Sequence, residues 1–193
     1  MTAIATLLAL ACMVMAGLVL AMNTEADAHE SEWDRLNREL VDLYRAGQYE
    51  PAEAAARKAL DIAETDFGPD HPAVATSLNN LAELYRTQGR YAQAGSSYMR
   101  ALEILEKAFG PDHPHVATGL NNLAELCKTL GQFDQAEPIL RRSLAIREKA
   151  LGPDHPEVAQ SLENLAAFYR ATGRVQEAGP LEARAARIQD ANK

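Results

Sequence analysis

Cysteine is nearly absent from this chain: two occur in 193 residues, Cys12 in an apolar run near the N-terminus and Cys127 in a charged, amphipathic region. No framework of intramolecular disulfides is available, so stability must come from packing. Clusters of Lys and Arg are missing as well. The 19 Lys and Arg stand against 27 Asp and Glu, a net charge of −8, and nowhere are they interleaved with aromatics. That excludes the electrostatic footprint of a nucleic-acid binder. A phosphate-binding glycine loop, a nucleophile beside a base and any cluster with metal-ligand spacing are also lacking, so no enzyme chemistry is visible and no cofactor or metal is expected. What is present is 47% hydrophobic and 24% charged residues, enough for one domain with a continuous core.

The one long hydrophobic run covers residues 3–22 without a charge, and Glu25, Asp27, Glu30, Glu32 and Asp34 follow it at once. About 20 apolar residues at ~1.5 Å each span a hydrocarbon core of ~30 Å. Ala26-Asp27-Ala28 also supplies the small-x-small pattern of a signal-peptidase site. Residues 1–24 are therefore expected to be a signal peptide or a membrane anchor, and 25–31 an acidic linker. The first basic side chain is Arg35, so no cationic cluster holds the following segment in the cytoplasm. Export is expected, to a periplasm or beyond, or single-pass anchoring with the rest of the chain on the non-cytoplasmic side. Membrane contact is expected only through this leader.

The remainder repeats. The pentapeptide GPDHP begins at Gly68, Gly110 and Gly152, a period of 42 residues, and the stretches between copies differ by exchanges that mostly keep polarity and size. Self-similarity at such a period signals stacked units that cannot bury their apolar faces alone. Within one unit, Val74, Leu78, Leu81, Leu84 and Tyr85 follow helical spacing, as do Tyr91, Ala94, Tyr98, Ala101, Leu102 and Leu105. Two helices per unit result, broken at Gly89, with Ala82, Ala94 and Ala101 small enough for close approach. Cys127 stands in the core-facing place of Tyr85 and Tyr169, and Trp33 is placed to cover the first helix as a lid.

These residues carry a resemblance. Leu81, Ala82 and Tyr85, then Gly89, Tyr91, Ala94, Tyr98 and Ala101 resemble the tetratricopeptide repeat (TPR), and the 42-residue version with LNNLAxLY and GPDHPxVA is similar to the repeats of kinesin light chains. The resemblance covers Leu36 to about Asp190. It implies an all-α fold, a right-handed α-solenoid of antiparallel helix pairs in about four units near 32–67, 72–109, 114–151 and 156–190. It also implies a non-enzymatic scaffold with a protein or peptide partner. Kinesin light chains carry a long heptad coiled coil that joins them to the motor chain; nothing here offers one, so a motor-adaptor role is not implied.

GPDHP falls between the second helix of one unit and the first of the next. Gly68 suits the residue past a helix end, Pro69 blocks resumption, and Pro72 suits a first helical position. His71 is pushed out of the helical region by the proline after it, and Asp70 is expected to cap the new helix. A metal site would need the histidines to converge, but copies separated by two helix layers of ~8–10 Å stand roughly 20 Å apart. A metal-dependent enzyme built on His71, His113 and His155 is thus the weakest alternative. A self-assembling structural unit is another.

In the family, first helices line a concave groove. Carried over position by position, its places are Thr76, Asn79, Glu83 and Arg86, then Thr118, Asn121, Glu125 and Lys128, then Gln160, Glu163, Ala167 and Arg170. Their spacing of 3, 4 and 3 puts each set on one helical face whatever the family. Asn suits a peptide backbone, and Arg86, Lys128 and Arg170 suit acidic side chains or a C-terminal carboxylate. Glu83 with Arg86 and Glu125 with Lys128 are equally i, i+3 pairs of a solvated face. Asn80 and Asn122 point about 100° away and are expected to bond within the unit. The first unit has Val41 and Tyr44 in the groove places and is expected to contribute little. The last has Glu182 where Tyr98 and Leu140 stand, which is expected to make it a polar cap.

Overall fold

The computed structural model describes residues 32–192. The leader (1–24) and the acidic linker (25–31) expected from the sequence lie outside these residues. Eight helices follow one another, and no strand occurs among the described residues: α1 (32–45), α2 (Tyr49–Phe67), α3 (Pro72–Thr87), α4 (Tyr91–Phe109), α5 (Pro114–Thr129), α6 (Phe133–Leu151), α7 (Pro156–Ala171) and α8 (Val175–Ala191). Each packs chiefly on its sequence neighbours, and α3, α5 and α7 also touch one another, so odd-numbered helices form one layer of a solenoid. No described helix is long and apolar enough to cross a membrane.

Alanine sets the closeness of the layers. Ala52, Ala56 and Ala59 in α2, Ala94 and Ala101 in α4, Ala136 in α6 and Ala178 in α8 are fully buried against leucines and valines of the first helices. The core crosses every boundary between units: Leu126 of α5 packs in the same cluster as Leu84 and Tyr98, and Ile146 of α6 joins Ala101 and Val116. Trp33 packs against this core and donates from Nε1 to Ser77 Oγ at 2.9 Å, bonding α1 to α3.

Two kinds of turn alternate. Within a unit, Gly89 takes φ +73°, and the Arg90 N–H reaches Tyr85 O at 2.8 Å, the closure of a Schellman turn. Between units, His71 is extended (φ −78°, ψ 144°), and its own Nδ1 accepts the Ala73 N–H at 3.1 Å. His113 and His155 cap α5 and α7 in the same way. Asp70, expected to be the cap, instead pairs with Lys107, as Asp112 does with Lys149. The imidazole wins because the extended backbone before proline aims it at the N–H of Ala73, the first that the helix offers after Pro72, while its face stacks on the preceding Phe67 (centroids 4.9 Å apart). Along the second helices, Glu64–Arg100, Glu106–Arg142 and Glu148–Arg184 form an ion-pair ladder with the period of the repeat.

Replacing His71 by Ala removes an acceptor from an N-cap and is expected to cost about 1 kcal/mol, read as a lower urea midpoint, whereas His71→Asn keeps most of it.

Candidate functional site

The residues singled out on the first helices are largely engaged with one another. Glu83 accepts from Arg86 (2.6 and 2.9 Å), from Tyr98 OH (2.9 Å) and from Tyr44 OH (3.2 Å). Burial pushes the Glu83 carboxyl up, but these hydrogen bonds outweigh it and hold the group below its ordinary range. Tyr98, 1% exposed, is pushed far up by burial and by the Glu83 charge. Glu125 and Lys128 pair at 2.7 Å. In the last unit the acid has changed helices: Ala167 replaces the glutamate of α3 and α5, and Arg170 pairs with Glu182 of α8. Glu182 therefore faces its own unit and closes it, contrary to the expectation of a polar outer surface.

Thr76, Thr118 and Glu163 are tied as well. Thr76 Oγ1 donates to Pro72 O at 3.2 Å, Thr118 Oγ1 accepts from Arg147 at 3.1 Å, and Glu163 accepts from Gln189 at 2.7 Å. Asn79 and Asn121 each carry a buried Oδ1 with no hydrogen-bond partner. Asn80 donates to Asn37 Oδ1 at 2.8 Å, across units and not within one as expected.

Free charge lies instead in the first unit, which sequence reasoning set aside. Two adjoining cavities run between α1 and α3, of about 470 and 250 Å³, sharing Val41, Arg45 and Asn80. Leu40, Val41, Tyr44 and Leu84 give the smaller one an apolar wall beside Glu83, and Arg38 stands at the larger with Asp34 and Asp42. Arg38 and Arg45 have no carboxylate within ion-pair distance among the described residues. Apart from Arg187, every other described arginine has one. The signal was present as Arg38, Val41 and Arg45, three positions sharing one helical stripe.

Two polar networks stand on the seams between units. Glu53 accepts from Arg57 (2.7 Å) and Arg90 (2.6 Å), Arg57 donates to Tyr85 OH (3.0 Å), and the Arg90 guanidinium lies 4.2 Å from the Tyr85 ring centroid. Glu137, Arg141, Tyr169 and Arg174 repeat this arrangement 84 residues later, with Arg174 at 2.6 Å from Glu137 and 4.3 Å from the Tyr169 centroid. Burial raises the Glu53 carboxyl but its arginine partners lower it further, and the Arg174 hydrogen bond lowers Glu137. The corresponding places at the middle seam hold Gly95, Met99, Cys127 and Gln132. Cys127 is buried there, as its register implies, and burial pushes its thiol up.

A carboxyl lowered in the folded state contributes stability that is full above its unfolded pKa, near ~4.3, and lost as pH falls through the lowered folded value. Glu83→Gln is therefore expected to lower the urea midpoint at pH 7 and to change it little at about pH 3. A loss equal at both values would show that Glu83 acts by packing alone.

Comparison with known proteins agrees with this architecture. The tetratricopeptide repeat family profile matches residues 40–107, 78–149 and 119–191. No curated protein matches the sequence. Among solved structures, BtubC (BKLC) from P. vanneervenii is 32% identical over 77% of this chain, with a TM-score of 0.69, and this chain spans 59% of that protein. A putative kinesin light chain from Podosopora anserina with nearly identical TPR-like repeats is 26% identical over 85% of this chain and 76% of its own length, with a TM-score of 0.68. With the repeat profile running almost end to end over the described helices, this chain belongs to the tetratricopeptide repeat family, and its units are of the kinesin-light-chain type.

Proposed function

We propose that the chain is a non-enzymatic interaction scaffold that holds an extended peptide, or one helix of a partner, on the face formed by its first helices. The observation that carries this is the groove between α1 and α3, an apolar wall with Arg38 and Arg45 unpaired at its side. A guanidinium without a carboxylate offers forked donors to one brought by a ligand, and the apolar wall rewards a buried side chain beside it. The paired residues Glu83, Arg86, Glu125 and Lys128 form the rest of the face and resist a second anion, since each charge is already met. This favours a peptide anchored at the first seam and lying along α3 and α5. Tethering or export through residues 1–24 belongs to the same proposal, resting on the apolar run and on the absence of cations before Arg35.

End-to-end self-assembly fits less well. The place on α1 that matches Leu81 of α3 is Glu39, exposed and paired with Arg35, so charge stands on α1 where a stacking face would be apolar.

Selection of a random displayed peptide library on the purified full chain is expected to enrich an apolar residue flanked by Asp or Glu. Val41→Asp with Arg45→Glu should weaken the selected peptides at least about tenfold, or ~1.4 kcal/mol, with an unchanged thermal melt. Peptides that bind the variant as tightly would put the site elsewhere.

A further inference from the structure

We infer that the seam between α4 and α5 is the hinge of the solenoid, about which α1–α4 and α5–α8 move as two tied halves. The inference is independent of the identity of any ligand. At the first seam, Trp33 bonds Ser77, Asn80 bonds Asn37, Tyr44 bonds Glu83, and Arg90 bonds Glu53. At the third, Arg147 donates to Glu157 O and Ser161 Oγ at 3.0 Å, Arg141 to Tyr169 OH at 2.8 Å, and Arg174 to Glu137 at 2.6 Å. At the middle seam, the one side-chain hydrogen bond between helices of the two units among the described residues is Arg142–Glu106, the rung common to all three seams; beside it stand the ring contact of Phe109 with His115 and the charge attraction between Arg86 and Glu125.

The difference is written in the register. Five series of equivalent places alternate in the same sense: Glu53, Gly95, Glu137; Arg57, Met99, Arg141; Ser77, Gly119, Ser161; Tyr85, Cys127, Tyr169; and Arg90, Gln132, Arg174. The polar groups present at the first and third seams are gone together from the second. What replaces them is smooth. A Cβ on Gly95 would lie 3.5 Å from Leu126 Cδ2, and one on Gly119 3.4 Å from Leu102 and Leu105, so glycine meets leucine on both sides of the boundary. Hydrophobic contact of this kind is cohesive but not directional, which permits sliding that a bidentate ion pair resists.

The remaining ties gather at one end. Arg142 also reaches Pro111 O, and Phe109 stacks on His113 (4.6 Å) and lies edge-on to His115 (5.1 Å), all at the GPDHP linker. The opposite end, where Arg57 and Arg141 donate to the hydroxyls of Tyr85 and Tyr169 at the other seams, carries Met99, which is 52% exposed. The linker end is thus pinned, while no side-chain hydrogen bond crosses the seam at the far end among the described residues. The cavity of about 170 Å³ between α3 and α5, lined by Thr76, Asn79, Phe109, His115 and Thr118, lies at the pinned end and is expected to keep its shape.

The test compares the three seams in one chain. With Cys12→Ser and Cys127→Ala as background, spin labels are placed pairwise by Glu50→Cys, Ala92→Cys, Asp134→Cys and Gln176→Cys, four exposed positions 42 residues apart on successive second helices. The 92/134 pair, across the middle seam, is expected to give a distance distribution about twofold wider than 50/92 and 134/176. Adding Gly95→Glu with Gln132→Arg, which restores the Arg–Glu tie of the other seams, should narrow it to match them. Gly95→Ala with Gln132→Arg removes the glycine without supplying the carboxylate and should leave it wide. Three equal widths in the unmodified background would overturn the hinge. Equal narrowing by the alanine control would assign the motion to helix softness at Gly95, and would overturn the role of the missing tie.

Discussion

Everything in this fold depends on one constraint: a helix pair whose apolar side can be buried only against the next pair. Val74, Leu78 and Leu81 of one unit are covered by alanine-rich second helices, and the clusters they join run across unit boundaries. Cohesion is therefore a property of the seams, and stability is close to a sum of units and neighbour terms. The apolar part of that sum is similar along the chain, because the same small and branched residues recur every 42 positions. The polar part is not, and it is where the units become distinct.

Polar side chains follow one rule on the first-helix face: nearly every charge is met inside the chain. Glu83 gathers Arg86, Tyr44 and Tyr98, and Arg170 recovers from the loss of a glutamate at Ala167 by taking Glu182 from the next helix. Arg147, only 6% exposed, reaches Glu157 O, Ser161 and Thr118, and burial lowers its pKa while the Glu157 carboxylate opposes that shift. Against such thorough pairing α1 stands apart: Arg38 and Arg45, with Asp34 and Asp42 beside them at the groove, have no ion-pair partner among the described residues, and the proposed binding role is argued from the two arginines. A scaffold that neutralises most of its own face leaves its remaining charge to choose the partner.

Much of the fold was legible because it is periodic. Gly89 and its equivalents marked the turn within units, GPDHP marked the turn between them, and the leucine spacing gave the helices. Chemistry that depends on contacts between helices was harder to read. His71 and Asp70 are adjacent in sequence, and only the backbone direction before Pro72 decides which one caps. The groove residues were rightly placed on one helical face, but a single helix does not reveal that Arg170 meets Glu182 or that Thr118 is held by Arg147. The first unit was set aside because Val41 and Tyr44 break the polar pattern, and that break is what makes an apolar wall. The 84-residue alternation was visible in principle, yet the strong 42-residue match draws attention to what units share and away from Gly95, Gly119 and Gln132.

The central claim is that the seams carry the cohesion of the molecule, unequally. Native-state hydrogen exchange at rising, sub-denaturing urea measures this directly, because amides that open together share one free energy and one urea dependence. The account predicts two cooperative groups, α1–α4 and α5–α8, with the boundary between them at the middle seam. One group spanning all the helices, or a boundary at α2–α3 or α6–α7, would contradict it.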